Sequence, residues 1–171
     1  MQFVSTYYFQ AVNVLERLAP VIPALFLRLF LAWEFGEAGY AKLTGSNWFE
    51  HVAFPFPFNL LQAELSWQIA TWFELIGAAA LVLGLATRFF SISLVVLTMV
   101  AIAAVHWPSE WHSLSQLLTG YRIIDEQGDG FGNYKLPVIF IVMFLPLLFS
   151  GAGKLSLDHW IFRYKYGDKQ K

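Results

Sequence analysis

The sequence contains no cysteine among its 171 residues. The chain therefore has no thiolate to bind a metal, no disulfide to staple its fold and no thiol–disulfide chemistry of its own. Any redox reaction in which it takes part needs a bound cofactor or a partner protein.

Charged residues are also scarce. They make up 13% of the chain, whereas 57% of the residues are hydrophobic and 18% are aromatic. Soluble domains carry about 25% charged residues, and a soluble protein of this size must cover a large surface with polar groups. This composition favours a lipid bilayer as the solvent.

Long apolar stretches are present, at about residues 21–42, 67–86, 89–107 and 136–151. A helix needs about 20 apolar residues to cross the hydrocarbon, and the fourth stretch is shorter than this. Because backbone groups in lipid must be satisfied within the chain, each stretch is expected to be a helix. The sequence predicts an all-α, integral membrane four-helix bundle that forms one domain over residues 1–171.

The first 20 residues lack the features of a cleavable signal peptide. They have no basic amino end, no long apolar run and no small-residue cleavage site. We expect a short N-terminal amphipathic helix that lies on the membrane before Pro20; a disordered tail is the alternative.

The distribution of lysine and arginine predicts the orientation. Basic residues precede the first span at Arg17, occupy the short turn at Arg88 and follow the fourth span from Lys154 onward. The two longer connections carry more acidic residues than basic ones. By the positive-inside rule both termini face the cytoplasm.

Two motifs in the second long connection resemble metal sites but lack the ligands or the spacing that a metal needs. The stretch from Asp125 resembles a calcium loop, but its twelfth position is Leu136, where a bidentate glutamate is needed. The spacing of His106, Glu110 and His112 is too loose for a metal site. We assign no metal ligands.

The first span carries ionisable residues where water is scarce, at Arg28, Glu34 and Glu37. Each would cost roughly 2.5–3.5 kcal/mol at the centre of a lipid-facing helix. Glu34 and Glu37 share one helical face, so one of them is expected to hold a proton. Arg28 is too far along the helix to pair with Glu34. Partners must come from neighbouring spans.

Span two offers Glu74, which shares a helical face with small residues and should point into the bundle. Aligning Lys42 with Trp67 places Glu74 beside Phe35 and brings His106 level with Lys42. The predicted cluster in the outer half of the bundle contains Glu37, Lys42, Glu74 and His106, and membership of Glu34 is left open.

A purely structural interpretation competes with a functional one. Buried ion pairs fix helix register, and Arg28, Arg88 and Lys154 can extend to lipid headgroups. Glu74 lies too deep to reach water easily, which favours a functional role for it.

These residues together resemble the DoxX family of small four-span membrane proteins. The resemblance rests on Arg28, on Gly39 with Lys42, on Glu74 leading to GLATR at 84–88, on His106, and on SGAGKLSLD at 150–158. The WF and PFPF elements, the HWP segment and NYKLP resemble an HvfX/BufX-like branch, which is encoded beside copper-binding modified-peptide systems.

The resemblance implies a bacterial inner-membrane protein that works with partner proteins. Some relatives form the membrane part of a thiosulfate:quinone oxidoreductase, and others associate with redox defence or peptide maturation. It therefore implies an accessory component of a redox or copper-peptide maturation pathway.

The first functional hypothesis is a membrane subunit of a quinone-linked oxidoreductase. A quinone needs an apolar slot together with hydrogen-bond donors and acidic groups near its carbonyls. Phe73 is a candidate for the slot. The catalytic candidates are Glu37, Glu74 and His106. The cofactor-binding candidates are Arg28, Lys42, Trp72, Arg88 and Trp107.

The second hypothesis is a non-catalytic docking or scaffold subunit, whose loops or basic tail bind proteins of the same pathway. A small transporter is a third, weakened by the absence of a route rich in Met or Cys. The expected partners are the lipid bilayer and these proteins, a homo-oligomer is left open, and no nucleic acid is expected.

Overall fold

A computed structural model describes residues 2–108, 113–119 and 133–166, and this part of the chain is helical with no strand. The all-α class is therefore confirmed. The longer helices are α1 (Gln2–Leu18), α2 (Ile22–Thr44), α3 (Ala63–Leu83), α4 (Thr87–Ala101), α5 (Leu114–Thr119), α6 (Lys135–Ser150) and α7 (Leu157–Tyr166). A π-helical turn, Ile102–His106, extends α4, and short 3-10 turns form at Phe49–His51 and Phe58–Leu60.

The four apolar stretches fall on α2, α3, α4 with its π turn, and α6. Within the described ranges two helices, Ala63–Leu83 and Thr87–His106, are long and apolar enough to cross a membrane. The bent pair α1 and α2, which meet at 53°, adds a third if it counts as one span, and α6 is shorter. Four spans remain a prediction.

The helix α1 ends just before the turn at Pro20, where a short amphipathic helix was expected. Its tyrosines at positions 7 and 8 and Leu15 are exposed. Its predicted position on the membrane surface stays a prediction.

The helices α2, α3, α4 and α6 surround one apolar core, because α2 contacts α3, α3 contacts α4, α4 contacts α6, and α6 contacts α2. Leu31, Leu81, Leu94 and Leu147 are fully buried there. The Phe35 ring lies 5.5 Å from the Phe144 ring, between centroids. Contacts of this kind fix the relative depth of the helices.

The turn between α3 and α4, at residues 84–86, lies at one end of the helix core, which we call the tight-turn end. Polar contacts from α2 and from the start of α7 stabilise this turn. Gly84 ends α3 with φ +64°, and two backbone bonds, Gly84 N to Leu81 O and Leu85 N to Ala80 O, close a Schellman-type cap. Glycine adopts this left-handed conformation without the steric cost that other residues incur.

Arg28 extends from α2 to this turn and is 1% exposed. Its guanidinium donates to Leu81 O at 3.1 Å and to Leu155 O at 2.5 Å. The last carbonyls of a helix have no partner within the helix, and a cation near them also meets the negative end of the helix dipole. Arg28 is thus buried against backbone acceptors rather than extended to headgroups.

Asp158, at the start of α7, caps the other side of the same turn. Its carboxylate accepts from Ala86 N at 2.7 Å and from Thr87 N at 2.8 Å, where α4 begins. Its own N–H donates to Gly84 O at 2.9 Å. The segment 150–158 therefore ties α6 and α7 to the α3–α4 turn.

Replacing Gly84 with alanine should destabilise the protein by about 2 kcal/mol or more. The added Cβ would need a strained φ and would overlap the Arg28 guanidinium and the Ser156 Cβ. Thermal unfolding in detergent, followed by tryptophan fluorescence, measures the loss.

Gly36→Ala is the matched control for Gly84→Ala. Its Cβ would lie 3.5 Å from the Ala78 Cβ, an ordinary contact within a helix. This change should be neutral or stabilising by up to about 1 kcal/mol. Equal melting temperatures for the two variants would contradict the role assigned to Gly84.

Candidate functional site

The opposite end of the molecule, where α2 ends and α3 begins, contains a buried ion pair. Lys42 Nζ lies 2.7 Å from Glu74 Oε2 and 2.9 Å from Glu74 Oε1. The side chains are 16% and 5% exposed respectively. Ionised partners at this distance compensate each other's removal from water far better than either alone.

The pair forms because α2 and α3 approach closely at Gly39. A Cβ there would lie 3.0 Å from the Glu74 Cβ and 2.9 Å from the Leu75 Cγ. Lys42 lies one turn further along α2 and shares the same face. Glu74 therefore lies beside Gly39, one turn from the Phe35 level expected from the sequence, and the long lysine side chain reaches back to it.

A cavity of about 650 Å³ lies beside the ion pair, within the usual size of small-molecule sites. Its wall includes Lys42, Glu74, His106 and Glu34 from the predicted cluster. The rest is largely apolar and comes from α2, α3, α4, α6 and the connection between α2 and α3.

The connection at residues 45–62, which we call the aromatic loop, closes the cavity at this end. Phe49 is buried, and its ring lies 5.0 Å from both the Trp67 and the Phe54 rings, between centroids. Phe54 and Phe58 line the cavity itself. The aromatic side chains therefore form a packed cover over the ion pair.

We infer from the exposure of its lining residues that the cavity opens between α3 and α4. Ile69 and Phe73 on α3, and Ile92 and Val96 on α4, line the cavity and are also exposed on the outside of the helices. If these helices cross a membrane, the opening faces the acyl chains. An apolar molecule can then enter from the lipid without passing through water.

The π turn Ile102–His106 forms the part of the wall that carries His106. It is closed by the backbone bond from Trp107 N to Ile102 O, at 2.7 Å, and such wide turns occur frequently at functional sites. His106 Nδ1 donates to Asn133 Oδ1, just before α6. In the neutral ring Nε2 is then the hydrogen-bond acceptor.

Ser66 adds an unsatisfied polar group to the cavity wall. Its buried hydroxyl has no hydrogen-bond partner among the residues that the structure describes. Buried hydroxyls are normally paired, and an unpaired one has a free-energy cost. A ligand carbonyl or hydroxyl in the cavity would satisfy it.

Sequence reasoning missed Ser66 and Asn133. Ser66, Ala70 and Glu74 follow one another at intervals of four residues, so the helical face that identified Glu74 also contained a signal for Ser66. Asn133 lies in a connection before α6, and no periodicity indicated its contact with His106.

Several candidate residues lie away from the cavity wall. Glu37 is exposed and accepts a hydrogen bond from Trp33 Nε1 at 3.2 Å. Trp72 is exposed on α3, and Trp107 contacts Tyr134, with ring centroids 5.2 Å apart. None of Glu37, Trp72 and Trp107 lines the cavity.

The two arginines assigned to cofactor binding lie at the tight-turn end. Arg28 bonds to the backbone there, and Arg88 donates to Leu148 O at 3.0 Å and Phe149 O at 3.2 Å, at the end of α6. Both therefore satisfy helix C-termini. Neither lines the cavity.

Glu110, His112 and most of the calcium-like stretch lie outside the described residues. Within those residues no group of three His, Asp or Glu side chains is placed to hold a metal ion.

Comparison with known proteins identifies the family. The DoxX family profile matches residues 24–107. An uncharacterized protein from Haemophilus influenzae is 43% identical over 139 residues, which is 80% of this chain and 82% of that protein. No solved structure matches the chain significantly.

The matched region contains Arg28, Gly39, Lys42, Glu74, Gly84 and His106, and so covers the α3–α4 turn and most of the cavity, but not the segment 150–158 that packs on the turn. Its apolar helices are those of a membrane protein. The chain is a membrane protein of the DoxX family.

Proposed function

We propose that the chain is a quinone-binding membrane subunit of a redox pathway, and that the cavity beside the Lys42–Glu74 pair is the quinone site. The observation that carries this proposal is the combination of an apolar, laterally open cavity with a buried ion pair and an unpaired hydroxyl. A quinone likewise combines a polar part, the carbonyls of its ring, with an apolar tail.

The polar groups suit the head of such a molecule. Lys42 directs its protons at the two Glu74 oxygens, and its third contact, to Ala38 O, is long at 3.5 Å. A ligand carbonyl can replace that weak contact without breaking the ion pair. Ser66 and His106 Nε2 supply two further hydrogen-bonding groups on the cavity wall.

We assign to Glu74 the transfer of protons to the bound quinone. A bound quinone accepts two electrons and two protons, and the electrons must come from a bound cofactor or a partner protein, because the chain has no thiol chemistry of its own. Glu74 is ionised beside Lys42, so it must first take up a proton from water and then pass it to the reduced quinone, and this relay runs twice for each quinone. Lys42 keeps the carboxylate oriented. Glu34, half-buried on the same wall, is a second carboxylate within the cavity.

The wider setting is part of the same proposal. The motifs support an accessory component of a bacterial inner-membrane redox or copper-peptide maturation pathway, in an HvfX/BufX-like branch. The excess of lysine and arginine after the last apolar helix supports cytoplasmic termini. Protein partners from the same pathway are part of this proposal, and one of them can supply the electrons.

Protein extracted with its native lipids should contain quinone, measurable by native mass spectrometry and by chromatography of the extract. Purified protein should also bind a short-tail ubiquinone, measurable by quenching of tryptophan fluorescence, because Trp48 lines the cavity and Trp67 packs against Phe49. Absence of both would overturn the quinone site and favour a docking subunit without a ligand.

Ser66→Ala should weaken ubiquinone binding about 2- to 12-fold, the value of one neutral hydrogen bond. The stability should not fall, because the hydroxyl has no partner among the described residues. The fluorescence titration and a thermal melt on the same sample measure both effects.

Ser93→Ala is the control for Ser66→Ala. Ser93 also lines the cavity, but its hydroxyl donates to Phe89 O on its own helix at 3.0 Å. Its removal should leave the affinity unchanged. Equal losses for the two variants would place the ligand head elsewhere.

Lys42→Met alone should destabilise the protein by about 3–5 kcal/mol, because Glu74 would keep a buried charge without its cation. The double variant Lys42→Met/Glu74→Gln should recover most of that loss, since neither side chain is then charged. Thermal unfolding in detergent compares the variants, and a double variant no more stable than the single one would show that Glu74 is not ionised.

A further inference from the structure

The C-terminal helix α7 carries an apolar face that the helix core does not cover. Leu157, Trp160, Ile161 and Tyr164 follow the i, i+3, i+4, i+7 pattern of one helical face. Their exposed fractions are 41%, 77%, 53% and 92%. Such a face is expected to be buried in something other than the part of the chain that the structure describes.

Positive charge borders that face on both sides. At 100° per residue, Arg163 lies beside Trp160 on one edge and Lys165 beside Ile161 on the other. Lys154, also exposed, precedes the helix by three residues. Asp158, the one acidic residue of the helix, is occupied in capping the α3–α4 turn.

The position of α7 follows from its contacts at the tight-turn end. Asp158 N donates to Gly84 O, and His159 N donates to Ser156 Oγ at 3.1 Å. The helix thus starts where α3 ends and α4 begins, and those are the two helices able to cross a membrane. The boundary between hydrocarbon and water lies at such a helix end.

We propose that α7 is an interfacial helix that binds the anionic lipid surface at the tight-turn end. Its apolar face enters the boundary between headgroups and acyl chains, and Trp160 and Tyr164 lie at the headgroup level where such rings concentrate. Arg163 and Lys165 meet the phosphates of anionic lipids. The occupant is a lipid surface because the apolar face is narrow and bordered by cations on both sides.

The absence of cysteine makes a site-specific test direct, because one introduced cysteine takes one label. Ile161→Cys places a nitroxide on the apolar face, and His159→Cys places it on the opposite side. The full-length protein is incorporated into nanodiscs of phosphatidylcholine alone or with phosphatidylglycerol added. Collisions of the nitroxide with oxygen, which dissolves in lipid, are compared with collisions with a water-soluble nickel chelate.

In anionic nanodiscs the ratio of oxygen to nickel collisions should be several-fold higher at position 161 than at position 159. It should fall at position 161 when phosphatidylglycerol is left out. Adding Arg163→Gln and Lys165→Gln to Ile161→Cys should remove that dependence on lipid charge, while the thermal melt shows that the fold is retained.

Two results would overturn the proposal. Equal, water-like ratios at both positions would show that α7 does not enter the membrane surface. Dipolar broadening between nitroxides at position 161 would show that a second copy of the chain covers the face. Neither result bears on the quinone site, which lies at the opposite end of the helices.

Discussion

The Lys42–Glu74 ion pair is the contact on which one end of this molecule depends, namely the end covered by the aromatic loop, which we call the loop end. A carboxylate placed between helices in a water-poor environment must have a cation close to it, and Lys42 Nζ lies within 2.9 Å of both oxygens. Three positions make this possible. Gly39 lets α3 approach, Glu74 fills the space, and Lys42 reaches back along α2.

Buried charged side chains contact different kinds of groups at the two ends of the helix core. At the tight-turn end the Arg28 guanidinium donates to backbone carbonyls, and Asp158 accepts from backbone N–H groups. Arg28 Nε and the Thr87 hydroxyl are also buried there and have no hydrogen-bond partner among the described residues. These contacts fix the fold, and neither Arg28 nor Thr87 lines the cavity. At the loop end the charges are satisfied by other side chains, beside an open cavity with an unpaired hydroxyl. This difference separates residues that build the fold from residues that are available for binding.

Much of the fold could be predicted from the sequence because its apolar stretches are long and nearly free of charge. The helix class and the approximate positions of α2, α3, α4 and α6 followed from length and hydropathy alone. Helical faces also indicated that Glu74 points inward. The partner of Arg28 could not be predicted, because it consists of carbonyl groups whose exposure depends on how a distant segment, Leu155 to Asp158, folds back.

Depth was the weakest part of the sequence prediction. Counting from the ends of two antiparallel helices assumes that both end at the same level, and the close approach at Gly39 places Glu74 one turn from the expected position. Glu34 and Glu37 also have different surroundings, and here the cause is a side-chain contact rather than depth. Both were assigned to one face, but Trp33, four residues before Glu37, holds that carboxylate on the outside, whereas Glu34 lines the cavity.

A chain of this size can contain a cavity because three irregular features interrupt close packing at one end. The aromatic loop replaces a helix as the cover, the π turn widens the end of α4, and exposed apolar residues on α3 and α4 leave a lateral opening. A soluble protein would expose that opening to water at considerable free-energy cost. In a bilayer the opening meets acyl chains, so the arrangement is stable without a ligand and accessible to one. Under the proposed function, the polar head of the ligand would lie beside Lys42 and Glu74, and its apolar tail would extend between α3 and α4.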